Sequence, residues 1–126
     1  MKSLFAKLVL ILVAVGLTNF YGEAGAAEWK EFAEATTGVF RYDAASISST
    51  PEGFVRVWIH NVTKQETNLV EINCKERTYH VLDVIQYYDE AGHIKSRETY
   101  YDNPTPSWYH ISQKSVPEPL YYTLCR

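Results

Sequence analysis

Short runs of β-branched and aromatic residues, separated by turn residues, constrain the fold of this chain more than any other feature. In residues 54–62, Val55, Val57 and Ile59 would share one face of a strand, as Val70, Ile72 and Cys74 would in residues 69–74. Residues 79–88 are apolar on much of both faces. Such runs fit pleated strands. The linkers between them are shorter than the dozen or more residues that a parallel crossover needs. The sequence therefore predicts an antiparallel sheet, with residues 79–88 in a central position.

Three further segments complete the predicted sheet, and the character of the chain then changes. Residues 28–33, 39–42 and 93–101 are predicted strands, and 108–111 is a short strand or an extended stretch. Ser115 and Glu118 have the spacing of a capping box, so we predict a helix over residues 117–125 with Ser115 as its N-cap. The expected fold is α+β but mostly β, with an antiparallel sheet of about six strands and a short C-terminal helix.

The first 27 residues have the pattern of an export signal. Two lysines precede a short apolar run, and small residues follow at 24–27. The run is shorter than the roughly 20 residues of a membrane-spanning helix, although an uncleaved N-terminal anchor is the alternative. We predict a signal peptide at 1–27, one domain at 28–126, and no transmembrane segment once the signal is removed. The mature protein would be exported to the periplasm or the cell surface.

Cys74 and Cys125 are the only two cysteines, and export would place them in an oxidising compartment where such a pair normally bonds. A redox site would need the thiols close together, as in Cys-x-x-Cys. A metal site would need two more ligands at set spacings, and the four histidines are scattered singly. We predict a structural disulfide that tethers the helix to the sheet, worth about 4 kcal/mol in the chain-entropy treatment.

Charge and motif content argue against several classes of function. The chain has 12 basic and 15 acidic residues, and two of the former and one of the latter lie in residues 1–27, which leaves a mature net charge of −4. This charge argues against nucleic acid as a partner. His60 and His80 lie on predicted strands and could face each other, but a satisfied surface role is favoured over that of a base. Without a phosphate loop or nucleophile elbow, we expect no enzyme and no cofactor.

Aromatic residues are the clearest sign of a binding surface. Several occur as adjacent pairs, so that on a strand one member of each pair must face outward. Exposed Tyr and Trp side chains are favoured at binding surfaces. The alternative is that large rings fill the thin core layers of a small sheet. The predicted binding face consists of Trp58, Tyr88, Tyr101 and Trp108.

The order of several short motifs along the predicted domain is distinctive. They are Trp29, Phe40-Arg41-Tyr42-Asp43 with Ser46-Ile47, Val55-Arg56-Val57-Trp58, Val70-Glu71-Ile72-Asn73-Cys74, Arg77-x-Tyr79, Trp108-x-x-Ile111, Ser115-Val116 and Cys125. In this order and spacing they resemble the surface-adhesin protein E-like family. The resemblance implies a sheet with a disulfide-tethered C-terminal helix, a surface or periplasmic location, and a non-enzymatic, adhesin-like module that binds a protein partner and can form a homodimer.

The sequence departs from the namesake adhesin of that family at two points. No cysteine follows the leader to carry a lipid anchor, and the segment ahead of the Cys74 strand, which is basic in the namesake, contains only Lys64 among residues 64–67. The alternative is therefore a structural or stress-related periplasmic protein with no host ligand.

Overall fold

The computed structural model describes residues 26–126. The predicted signal peptide lies almost wholly outside these residues, so it stays a prediction. These described residues form eight strands and one α-helix in the order β1 Trp29–Ala35, β2 Gly38–Asp43, β3 Ser48–Ser49, β4 Val55–Asn61, β5 Glu66–Asn73, β6 Thr78–Tyr87, β7 Ile94–Thr99, β8 Tyr109–His110 and α1 Glu118–Leu124.

The strands form one antiparallel sheet that curves into a half-barrel. Six strands lie in the order β1-β2-β4-β5-β6-β7, while the two-residue strands β3 and β8 pair with β4 and β6. This confirms the predicted antiparallel sheet of about six strands. β6 is the fifth strand in the order, although we expected it in the centre. It is nevertheless paired along both sides, by β5 on one and by β7 and β8 on the other.

The hydrophobic core lies on one face of the sheet, which we call the helix face. Val57 of β4 and Ile72 of β5 are fully buried there, together with Ile111 and, from the helix, Leu120. Leu124 packs against the same cluster, as its four-residue spacing from Leu120 requires in a helix. A helix of seven residues would not be stable alone. This packing is therefore what holds α1 in place.

The Cys74–Cys125 disulfide is present and clamps the helix to the end of β5. The two Cα atoms are 5.4 Å apart and 51 residues separate them in sequence. The hydroxyl of Tyr121 also donates to the carbonyl oxygen of Cys74 at 3.1 Å. The predicted tether is thus confirmed.

Arg77 provides a second attachment of the helix, which the sequence did not reveal. Its Nε donates to the carbonyl oxygen of Ile111 at 2.9 Å, and its Nη2 donates to Oε2 of Glu118 at 2.7 Å. The guanidinium also lies within 5.5 Å of the ring centroids of Tyr121 and Tyr122. One side chain from the β5–β6 turn therefore holds both the segment that follows β8 and the helix α1.

The predicted N-cap at Ser115 is wrong, whereas the helix itself lies within the predicted residues 117–125. Pro117 occupies the N-cap, without a capping hydrogen bond from a side chain. The Ser115 hydroxyl instead donates to the carbonyl oxygen of Ser112, while the Glu118 carboxylate accepts from the backbone N–H of Lys114. The chain makes a turn at Ser115 before it enters the helix. The two residues of the motif therefore satisfy this turn and do not form a capping box.

Candidate binding face

The face of the sheet opposite the helix carries all three tryptophans, and we call it the tryptophan face. On β4, the core side chain of Val57 fixes the direction of its neighbours, so Trp58 points away from the helix. Trp29 lies on the same side, with its ring centroid 5.7 Å from that of His60. Trp108 stacks on His80 at a centroid distance of 3.9 Å. No sequence motif places these three residues together, because they come from distant segments.

The pairing register arranges the side chains of this face in three rows across the sheet. Residues that are directly opposite on neighbouring strands point to the same side. Following the register from strand to strand gives a row of Arg41, His60, Thr67, Ile85 and Arg97, a row of Trp58, Leu69, Asp83 and Thr99, and a row of Arg56, Glu71 and His80. The face is therefore a mixture of aromatic, charged and apolar groups.

Glu71 organises the third row through two short contacts. Its Oε2 accepts from Nε of Arg56 at 2.6 Å, and its Oε1 lies 2.8 Å from Nε2 of His80. Glu71 and His80 are only 5% and 7% exposed. Charge-assisted contacts to a buried carboxylate fix the geometry of the side chains that make them. The Glu71 network therefore holds His80 in place as the platform for Trp108.

Asp83 and Arg97 form the second charged pair. Asp83 is fully buried, and both of its carboxylate oxygens accept from the Arg97 guanidinium, at 3.2 Å from Nε and 2.6 Å from Nη2. The hydrogen bond and charge of Asp83 raise the pKa of Arg97, and Tyr101 and Tyr87 contribute to the same direction. The pair places a fixed cation on the surface of the face, above a carboxylate that is buried beneath it.

His60 has a different environment from His80. Its Nδ1 lies 2.8 Å from Oγ1 of Thr67, and burial, followed by the nearby charge of Arg41, lowers the pKa of His60. The imidazole is therefore neutral at pH 7. The expectation that His60 and His80 face each other is wrong, since they are opposite different residues of β5, Thr67 and Glu71.

The structure brings some of the predicted binding residues to this face and not others. Trp58 and Trp108 are half-buried on it, and Trp108 also contacts Phe54 edge-on, with centroids 5.1 Å apart. Tyr101 is 49% exposed just beyond β7, near Arg97. Tyr88 is 70% exposed, but it follows β6, and it is Tyr87 that lines a cleft of the face. Whether these residues bind a partner stays a prediction.

Sequence reasoning did not include Trp29, Arg41 or Tyr87 in the binding face. They line an open cleft of about 450 Å³ beside the row that contains Arg41 and His60. A second cleft of about 570 Å³ lies beside Trp108, near the row that contains Glu71 and His80. Side chains alternate between the two faces along β2 and β4, and Arg41 lies opposite His60. This alternation would have indicated that Arg41 belongs to the binding face. Trp29 pairs with Asp43, two residues from Arg41 on β2, so the register of β1 with β2 places it on this face.

Two further properties bear on the kind of function that residues 26–126 can have. Within that range, no group of three or more His, Cys, Asp or Glu residues is placed to hold a metal ion. The same part of the chain contains no helix that is long and apolar enough to cross a membrane.

Comparison with known families identifies the chain. A family model described as surface-adhesin protein E matches residues 29–126. The chain belongs to this family. The resemblance inferred from the motifs is thereby confirmed, and a surface-adhesin protein E family member is expected to be an exported or surface protein. No curated protein and no solved structure matches the chain.

Proposed function

We propose that this protein is a non-enzymatic binding module of the cell envelope, and that it captures a protein partner through the tryptophan face. The observation that supports this most is the position of all three tryptophans on the face that the helix leaves open. Tryptophan is among the residues that contribute most to protein–protein binding energy. The proposal extends what membership of the surface-adhesin protein E family implies.

The polar groups of the face support the same proposal. Arg56 and Arg97 are held in fixed positions by Glu71 and Asp83, so a partner does not have to order them on binding. Such preorganisation reduces the entropic cost of association. Interfaces that combine aromatic anchors with oriented polar groups gain specificity from the latter. The face therefore has both components of a recognition surface.

The proposed location is outside the cytoplasm. We propose that residues 1–27 are cleaved as a signal peptide and that the domain at 28–126 is released into the periplasm or reaches the cell surface. The Cys74–Cys125 disulfide supports this location, since disulfides persist in oxidising compartments. A second copy of the chain is one candidate partner, and size-exclusion chromatography of the oxidised domain distinguishes a homodimer from a monomer.

The experiment that tests the proposal compares capture by matched variants. Immobilised domain 28–126 is incubated with envelope extract and with soluble extracellular matrix proteins, and bound proteins are identified by mass spectrometry. Trp58→Ala and Tyr101→Ala should reduce capture of the specific partner at least tenfold. Tyr122→Ala is the control, because Tyr122 is 52% exposed on the helix and not on the tryptophan face.

The outcomes separate an adhesin from a structural periplasmic protein. Digestion of the protein by protease added to intact cells supports adhesion, whereas full protection places it inside the envelope. Equal capture by the wild type and by all three variants would contradict the proposed binding face. Folding of each variant is checked by circular dichroism, so that loss of capture is not loss of structure.

A further inference from the structure

The cleft of about 450 Å³ beside Arg41 and His60 on the tryptophan face has opposite charges on its two walls. Arg41, on β2, lines one wall, and Asp89 and Glu90, in the turn after β6, line the other. We propose that this cleft binds a small zwitterion, an amino acid or dipeptide whose carboxylate meets Arg41 and whose ammonium group meets the acidic wall. This site lies at one end of the tryptophan face, and the inference does not depend on the proposed function.

Arg41 is available to bind an anion. Among residues 26–126 its guanidinium makes no salt bridge and no side-chain hydrogen bond, although Glu31 is its cross-strand neighbour. By contrast, Arg56 and Arg97 on the same face are each paired with a carboxylate. A guanidinium presents several N–H donors in a plane that matches a carboxylate. Arg41 is therefore the anion-binding group of the cleft.

The acidic wall has one carboxylate with a structural role and one without. Both oxygens of Asp89 are used within its own turn, by the backbone N–H groups of Ala91 and His93 and by Nδ1 of His93. The hydrogen bond from His93 is the main reason that the pKa of Asp89 is lowered, so this carboxylate is ionised at neutral pH. Glu90 makes no such contact within the described residues and is the free partner for an ammonium group.

The floor of the cleft separates the two walls and offers an apolar contact. His60 on β4 and Thr67 on β5 form the floor between Arg41 on β2 and the turn after β6 that carries the acidic wall. Trp29 and Tyr87 line the cleft for the apolar part of the ligand.

The size of the cleft agrees with a small ligand. Its volume lies in the range of about 300–1,000 Å³ that small-molecule sites occupy. It is open to solvent on one side, so a free amino acid or dipeptide can enter without movement of the backbone. A group with only one charge would leave the opposite wall unpaired, which is why both charges of the ligand are part of the inference.

Calorimetry with three forms of one ligand tests the inference. The probes are the dipeptide alanyl-leucine, its C-terminal amide, which lacks the carboxylate, and its N-acetyl form, which lacks the ammonium group. The wild type should bind the zwitterion at least tenfold more tightly than either blocked form, since each charge-assisted contact is worth about that factor. Arg41→Gln should bind the zwitterion and the C-terminal amide with equal affinity. Glu90→Gln should bind the zwitterion and the N-acetyl form with equal affinity.

Matched controls and a second readout keep the test independent of folding. Arg126→Gln and Glu52→Gln remove the same charges outside the residues that line the cleft and should bind as the wild type does. In NMR titrations, the bound carboxylate should offset the Arg41 charge and raise the pKa of His60, whereas the dipeptide amide should not.

The outcomes that would overturn the inference are specific. Equal affinity for all three forms, or no saturable binding at millimolar concentration, would contradict it. Retention of the full preference in Arg41→Gln would assign binding to another site. A failure here is distinguishable from failure of the proposed function, because Trp58→Ala tests partner capture at a residue that does not line this cleft.

Discussion

The two faces of the sheet use the same strands for different purposes. On the helix face, buried aliphatic side chains such as Val57, Ile72 and Leu120 pack together, and a disulfide holds α1 against the sheet. On the tryptophan face, the buried groups include Glu71, His80 and Asp83, and most of the charged ones are paired. The helix face therefore supplies stability, and the open face can carry polar groups that a core could not accept without cost.

Removal of the disulfide should have the largest effect on stability, and it tests whether the helix face stabilises the fold. Cys74→Ala should lower the free energy of unfolding by about 4 kcal/mol, because the loop between the cysteines is no longer closed in the unfolded chain. The double variant Cys74→Ala/Cys125→Ala should be no less stable than the single one. Urea unfolding monitored by circular dichroism measures both. A loss below about 1 kcal/mol would show that the packing of α1 alone holds the helix.

A cavity in the helix face should have the next largest effect. Leu120→Ala removes a side chain that is 1% exposed and should cost about 3 kcal/mol. Partner capture by the tryptophan face should not change at a temperature where the variant is folded. Tyr122→Ala, on the exposed side of the same helix, should cost much less. Loss of capture in folded Leu120→Ala would show that the two faces are coupled.

A conservative change in the Glu71 network should have a smaller effect on stability. Glu71→Gln keeps the shape of the side chain but removes its charge, so the salt bridge to Arg56 is lost and the contact to His80 is weakened, at a cost of about 1–2 kcal/mol. The support of Trp108 by His80 should loosen, which the imidazole signals of His80 in NMR spectra would show. An unchanged free energy of unfolding would mean that the network contributes to geometry and not to stability.

The smallest expected effect is a pH dependence from His60. Since burial and Arg41 lower its pKa in the folded state, the folded protein binds this proton less readily than the unfolded chain. The contribution of His60 to the free energy of unfolding is fully present above the unfolded pKa of about 6.5. It is lost as the pH falls below that value. NMR titration of the imidazole should show the lowered pKa, and Arg41→Gln should move it part of the way back. A titration at or above 6.5 in the wild type would contradict this environment for His60.

The sequence indicated the helix face better than the tryptophan face. Alternation along residues 54–62 and 69–74 placed Val57, Val70 and Ile72 together because a strand has a period of two. The two cysteines indicated that the C-terminal helix is tethered to the sheet. Both signals are local or depend on a residue type that occurs only twice, so they do not require knowledge of the register.

The tryptophan face depends on relations that no single segment contains. The pairing of Glu71 with Arg56 and His80 follows from the register of β5 with both neighbours. A bulge between Leu69 and Val70 in the pairing with β6 determines that Asp83 points to this face. The turn at Ser115 was misread because the same two residues can satisfy either a turn or a helix start.

The distribution of indole rings also gives the protein a built-in optical sensor. All three tryptophans are on the open side of the sheet, while the rings nearest the helix are those of Phe and Tyr residues. Excitation at the red edge of protein absorption therefore reports on that side alone. A spectral shift without a change in far-ultraviolet circular dichroism would mean occupancy of the open side, and a simultaneous change in both would mean unfolding, without attachment of any dye.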